Sequence, residues 1–334
     1  MSAIKSPSVV AITGATAGVG RATALEFARR GAHIALLARD RQALEDTAAQ
    51  VRAHGVRALT IPIDVSDADS VDRAAAAIES NLGPIDVWVN NAMVTSFTPI
   101  CDISHEDFAR VTEVTYLGFV WGTMAALRRM AVRNRGVIVQ VGSALAYRSI
   151  PLQSAYCGAK HAIRGFTDSL RSELSHQKSR IHVTMVQMPA LNTPQFDWAS
   201  SSLRYAPRPV SPIFQPEVAA RAIWWAATHR RRELWVGSSS IKAIVANQWV
   251  PGWLDRYLGR IGYRAQQDAS LPAEGRRVNL WKPVTPLHRT HGRFDGQAFS
   301  SSPALWISTH REWLVGAAAT VAAFMLVRGI RRAV

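Results

Sequence analysis

The chain has 334 residues, 48% apolar and 19% charged, which suits one large folded core with an appendage and excludes a disordered or fibrous protein. Its net charge of +15 is uneven: 20 Lys and Arg face 17 Asp and Glu over residues 1–200, but 19 face 7 over residues 201–334. The only cysteines, Cys101 and Cys157, offer neither a disulfide framework nor metal-ligand spacing, and His288 and His291 have no carboxylate or thiol partner nearby in sequence, so no metal site is expected.

The N-terminus runs straight into an apolar strand, Val9–Thr13, leaving no room for a signal peptide, so the cytoplasmic side is expected. Short apolar runs then alternate with amphipathic helical stretches: strands at His33–Ala38, Ala58–Ile63, Ile85–Asn90, Gly136–Val141 and Ile181–Gln187, with helices such as Gly20–Arg30 and Asp40–His54 between them. Such alternation predicts an α/β fold, a Rossmann-like doubly wound parallel sheet with helices on both faces. Ligands of that architecture sit at the carboxyl ends of the strands. After Pro189, prolines at 194, 207, 209, 212 and 216 break up regular structure, which suggests a mobile loop over a site. Three units are expected: a body over 1–245, a basic Trp-containing extension and linker over 246–304, and an apolar helix over 305–334.

The first strand leads into Thr13-Gly14-Ala15-Thr16-Ala17-Gly18-Val19-Gly20 and then a helix. Glycines allow a tight turn and close approach of a pyrophosphate, whose charge is met by free N–H groups at the helix start. Gly14, Thr16, Ala17, Gly18, Val19 and Gly20 are therefore candidate dinucleotide contacts. The second strand ends in Ala38-Arg39, where a site for NAD would place an acid on the ribose; a guanidinium there suits a 2′-phosphate and favours NADP(H). Asp64 and Val65 follow the third strand, where they suit an adenine ring, and Asn90-Asn91-Ala92 follows the fourth, with Asn91 a candidate cofactor contact. Ser143 closes the fifth strand; Tyr156 and Lys160 share one face of the next helix at i, i+4 spacing. A nearby ammonium is expected to lower the phenol pKa towards the working pH, while the serine hydroxyl polarises a substrate oxygen.

Taken together, the glycine loop, Asn90-Asn91-Ala92, Ser143 and Tyr156-x-x-x-Lys160 resemble the short-chain dehydrogenase/reductase superfamily over about residues 7–240. The resemblance implies hydride transfer between a nicotinamide and a carbonyl or secondary alcohol. It casts Tyr156 as proton donor, Ser143 as positioner of the oxygen, and Lys160 as holder of the nicotinamide ribose. It also supports Arg39 and Asp64 as 2′-phosphate and adenine contacts, Thr193 as a carboxamide contact, and a possible homo-oligomer. Three positions depart from the pattern: Thr115 stands in place of the relay asparagine, Met93 in place of glycine after Asn-Asn-Ala, and Ala190 in place of the glycine after Pro189. Thr115, Met93 and the basic appendage leave open a second reading, a membrane-attached NADP-binding regulator with little or no turnover.

Phe196, Trp198 and Phe214 in the proline-rich loop point to an apolar substrate. Basic charge with tryptophan occurs without a nucleic-acid-binding motif, so no nucleic-acid partner is expected. The run Trp313–Val327 carries no charge and spans about 22 Å as a helix, short of the roughly 30 Å hydrocarbon core. With tryptophans on one side and Arg328, Arg331 and Arg332 on the other, it predicts contact with a membrane surface.

Overall fold

The computed structural model describes residues 7–273 and 275–311. Seven parallel strands form the central sheet: β1 Val9–Thr13, β2 His33–Ala38, β3 Ala58–Pro62, β4 Val87–Asn90, β5 Val137–Ser143, β6 His182–Met188 and β7 Glu233–Trp235, in the order β7-β6-β5-β4-β1-β2-β3. The order reverses between β1 and β4, whose register aligns Ile12 with Val89. That switch point opens a crevice beyond the strand ends. The expected strands hold to within two residues at each end, and the doubly wound fold with them.

Strand residues alternate between two apolar layers, which is why they read as continuous hydrophobic runs. Val10, Ile12, Ile34 and Leu36 pack with Phe27 of α1 (Gly18–Ala28), Leu44 of α2 (Arg41–Arg52) and Ile223 of α7 (Pro216–Thr228). Val9, Ala11, Ala35 and Leu37 face the other way, against Val71 of α3 (Ala68–Leu82), Val111 of α4 (His105–Thr112), Ala126 of α5 (Gly118–Arg133) and Leu170 of α6 (Ser154–His176). Side-chain caps start several of these helices: Asp40 accepts from the Ala43 N–H, Asp67 from Asp69 and Ser70, and Ser104 from Asp107. A buried network, Trp88 Nε1–H to Asn90 and Asn90 to Thr123 and Gln140, fixes the end of β4 against α5.

Beyond the sheet, α8 (Ser238–Trp249) and α9 (Pro251–Ala265) form a helical pair. A body ending at 245 would cut through α8, so the boundary drawn there does not match the helix. The stretch 265–303 is not the extended linker its composition suggests. It returns to the body, where Gln267–Pro272 pairs with Tyr205–Pro207 and Ala298–Phe299 with Ile213–Phe214. Short backbone ladders, the ion pairs of Arg289 and Arg293 with Asp197, and the widely spaced buried side chains Leu280, Val284 and Phe294 hold it, and none of these leaves a hydropathy period. Residues 303–311 are helical, and Leu305 joins the core beside α7. Among the described residues no helix is long and apolar enough to cross a membrane; the Trp313–Val327 run lies outside them.

The glycine loop is the tightest point. A Cβ on Gly20 would fall 2.1 Å from the Gly14 carbonyl oxygen and 2.6 Å from Asn91 Nδ2. Gly20→Ala is therefore expected to cost roughly 1–3 kcal/mol by overpacking. Denaturant unfolding checks this, and an unchanged midpoint would mean the loop yields freely.

Candidate functional site

At the carboxyl ends of the strands the structure gathers most residues singled out above. Gly14 and Gly18 adopt φ of +65° and +50°, a left-handed backbone that non-glycine side chains resist. Asn91 pins the loop: its Nδ2 donates to the carbonyls of Thr13 at 2.9 Å and Gly14 at 3.2 Å, while its own N–H donates to Thr13 Oγ1 at 2.9 Å. Gly14, Thr16, Ala17, Gly18, Val19, Arg39, Asp64, Val65, Asn91 and Thr193 all line one groove beside β1. Gly20 lies behind the loop, where its role is packing. The glycines admit close backbone approach and α1 begins at Gly18, so the residues present fit a dinucleotide.

Two charged residues of the groove already have partners. Asp64 is ion-paired with Arg110 and accepts from the Ser66 N–H at 3.0 Å and hydroxyl at 2.8 Å. Burial alone would raise its pKa, but the Arg110 and Ser66 hydrogen bonds prevail and hold it below the usual carboxylate value. Arg39 donates to three main-chain carbonyls of the C-terminal extension, those of Asn279 (2.5 Å), Leu280 (3.2 Å) and Trp281 (3.1 Å). The guanidinium is thus not the free fork that a strand-end arginine suggests.

An adjoining cavity of about 300 Å³ holds Ser143, Tyr156 and Lys160, and shares Val19, Asn91, Met93 and Thr193 with the groove. Its walls include Ile150, Met188, Leu191, Leu258 and Ile261, the last two from α9. Phe196 lines it. Trp198 lines the groove instead, and Phe214 belongs to the main core, so of the three loop aromatics only Phe196 faces this cavity. Gln153 and Gln266, both buried, close one end through an amide hydrogen bond of 2.7 Å.

Lys160, 2% exposed, donates from Nζ to the Val141 carbonyl at 2.8 Å and lies 4.6 Å over the Phe119 ring. Burial lowers its pKa to about 7. Burial also raises the Tyr156 phenol well above its ordinary value, with the Ser143 hydroxyl pulling it partly back. The expectation that Lys160 lowers the tyrosine pKa therefore does not hold for the protein alone. Desolvation is the largest cause at both groups. The result is a proton-bearing phenol and an amine close to neutrality, next to a hydroxyl, in an apolar cavity.

Sequence spacing missed two features. Thr115 lies in a π-helical turn, Glu113–Leu117, and its hydroxyl donates to the Val94 carbonyl at 2.8 Å while accepting from the Val94 N–H at 3.1 Å. It fixes the loop that carries Met93. The second feature is the lining supplied by the extension: Asn279, Val284 and His288 on the groove, and Leu258, Ile261 and Ala265 on the cavity.

The family described as short chain dehydrogenase matches residues 8–202. The chain is 34% identical over 270 residues to the uncharacterized oxidoreductase YxnA of Bacillus subtilis, covering 80% of this chain and 76% of that protein. It is 30% identical over 232 residues to human estradiol 17-beta-dehydrogenase 11, covering 69% and 75% respectively. Among solved structures, an NAD+-bound xylitol dehydrogenase shares 33% identity with a TM-score of 0.53, over 55% of this chain and 70% of that one. The chain belongs to the short-chain dehydrogenase family. It is an oxidoreductase of the type that acts on alcohols and carbonyls with a nicotinamide cofactor.

The Lys160 burial carries a stability prediction. With a folded pKa near 7 against 10.5, the unfolded chain binds a proton across that window that the folded chain does not. Stability therefore rises with pH from about 7 to 10.5, and the penalty is complete below that window. Lys160→Met removes the penalty but loses the bond to Val141, so a net gain on the order of 3 kcal/mol is expected near pH 7, fading by pH 10. Paired denaturant titrations at pH 6 to 10 check it; a difference constant with pH would mean that Lys160 is charged in the fold.

Proposed function

We propose that the protein is an NADP(H)-dependent oxidoreductase that interconverts an apolar ketone and its secondary alcohol, working at the cytoplasmic side of a membrane surface. The observation that carries this reading is the meeting of Ser143, Tyr156 and Lys160 in an apolar cavity that shares a wall with the glycine-loop groove. Bound NADP(H) supplies the hydride. Tyr156, which keeps its proton at neutral pH, delivers it to the substrate oxygen as charge develops there. Ser143 donates a hydrogen bond to the same oxygen. Lys160, balanced near neutrality, gains its charge when an acceptor such as a ribose hydroxyl lies beside it, and as an ammonium it then eases proton release from Tyr156.

Preference for NADP(H) rests on Ala38 in place of an acid and on Arg39 at the groove's end, whose guanidinium must release the Asn279–Trp281 carbonyls to meet a 2′-phosphate. Asp40, also on the groove, accepts from the Ala43 N–H as the cap of α2 and from the Thr285 hydroxyl. An apolar substrate is favoured by the cavity walls, and the similarity to an estradiol dehydrogenase points the same way. Membrane contact is supported by α8 and α9, whose solvent side carries Trp249 (81% exposed), Val250, Trp253 (59% exposed) and Tyr257, with Arg256 and Arg260 interleaved. Aromatic and cationic side chains together suit an anionic headgroup layer. The opposite side of α9 lines the cavity with Leu258, Ile261 and Ala265.

Three outcomes follow. Tyr156→Phe is expected to keep cofactor affinity and lose nearly all reduction of lipophilic ketones, by calorimetry and an NADPH absorbance assay; undiminished turnover would overturn the proton assignment. NADPH is expected to bind more tightly than NADH, with Arg39→Ala shrinking the gap by roughly 1–3 kcal/mol; equal affinities in the unmodified protein would refute the preference. The full chain is expected to float with anionic vesicles more completely than a chain ending near Pro303, and identical partitioning would remove the tail as an anchor.

A further inference from the structure

Between Asn279 and Gly292 the extension lies along the dinucleotide groove and contacts it at four successive places. Next to Val65 and Asp64, its first carbonyls take Arg39, and the Leu280 carbonyl also accepts from Arg110 Nε at 3.2 Å. Further along, Thr285 donates its hydroxyl to Asp40. At the glycine loop, His288 Nδ1 is 2.8 Å from Thr16 Oγ1, Arg21 holds the His288 carbonyl at 2.9 Å, and the Gly18 N–H donates to the Arg289 carbonyl at 3.0 Å. At the far end the Gly292 N–H donates to the Asn192 carbonyl at 3.2 Å, and a Cβ on Gly292 would meet the Thr193 carbonyl oxygen at 2.6 Å. The contacts thus run from the Asp64 end to Thr193 in the order in which the groove itself runs.

His288 distinguishes this segment from a mere tether. Its ring packs at 5.1 Å from that of Trp198, and both line the groove. The Asp40 carboxylate oxygen 3.7 Å from Nε2 favours the neutral tautomer with its proton there, in which the Thr16 hydroxyl donates to Nδ1. Nε2 is buried and has no hydrogen-bond partner among the described residues. Burial lowers the His288 pKa, and Arg21 and Arg39 act in the same direction against Asp40 and Asp46, so the ring is neutral at neutral pH. A buried donor left unpaired costs free energy unless a ligand meets it.

We infer that Asn279–Gly292 is a cofactor-binding segment, an outer wall along the dinucleotide groove whose Asn279–His288 part covers the adenosine half, and that His288 Nε2–H donates to an oxygen of that half. The inference rests on reading the groove as the NADP(H) site. The dinucleotide is then held between the Rossmann body and a strap that must part from it for exchange, so the strap governs how fast cofactor leaves.

Hydrogen exchange of the full-length protein with and without saturating NADP+, together with the NADP+ dissociation rate by stopped flow, tests this. Binding is expected to slow exchange of backbone amides between residues 279 and 292. His288→Ala is expected to raise the dissociation rate and weaken adenosine 2′,5′-bisphosphate about tenfold, the worth of one well-placed hydrogen bond. His288→Gln, which keeps a donor, is expected to recover part of the loss, as a purely structural role would not. If the unmodified protein binds no dinucleotide, the groove reading itself fails. If it binds NADP+ while exchange at 279–292 and the dissociation rate of His288→Ala are unchanged, the strap inference alone is overturned. Should His288→Ala not fold, the exchange result on the unmodified chain decides.

Discussion

The site depends on one close approach, that of Gly20 in the first turn of α1 to the Gly14 carbonyl at the end of β1. Space for no more than a hydrogen at Gly20 lets helix and strand come together, and Asn91 locks the turn from the neighbouring strand β4. Because β1 and β4 flank the switch point, this contact sets the floor of the groove and the wall that the cavity shares with it. The Trp88–Asn90–Gln140 network one layer below makes that wall rigid.

The protonation of Tyr156 and Lys160 is set mainly by desolvation. Tyr156 and Lys160 are brought together by one helical turn, yet in the protein alone burial raises the phenol and lowers the amine, so both favour their neutral forms. On the proposed reading, proton transfer depends on what enters the site: an oxygen that develops charge, or a hydroxyl that stabilises the ammonium, shifts the balance. The cost is carried by the fold, since a buried amine near neutrality gives up stability that an apolar residue would keep.

The C-terminal extension plays two parts on two sides of the ligand space. The helix α9 lines the cavity with Leu258, Ile261 and Ala265, and the segment after it borders the groove with Asn279, Val284 and His288. Most contacts of that segment run through main-chain carbonyls and N–H groups, so they constrain backbone path more than residue identity.

Much of the body was legible in the sequence because its signals are local. Apolar runs alternating with helices define a parallel sheet, glycines at fixed offsets after β1 define the turn, and Ser143, Tyr156 and Lys160 reach one cavity because a strand end and a helix face have fixed periods. Tertiary structure alone decided the rest. The composition of residues 265–303 reads as a spacer, because a segment held by short backbone ladders, ion pairs and a few widely spaced buried side chains leaves no periodic trace. Arg39 looks free until Asn279–Trp281 is placed over it, and Trp198 and Phe214 look like substrate contacts until the fold turns one to the groove and the other into the core. The charges of Lys160 and Tyr156 could not be read from spacing either, since a pKa is set by how much water the surrounding protein removes, and that is a property of the packed structure.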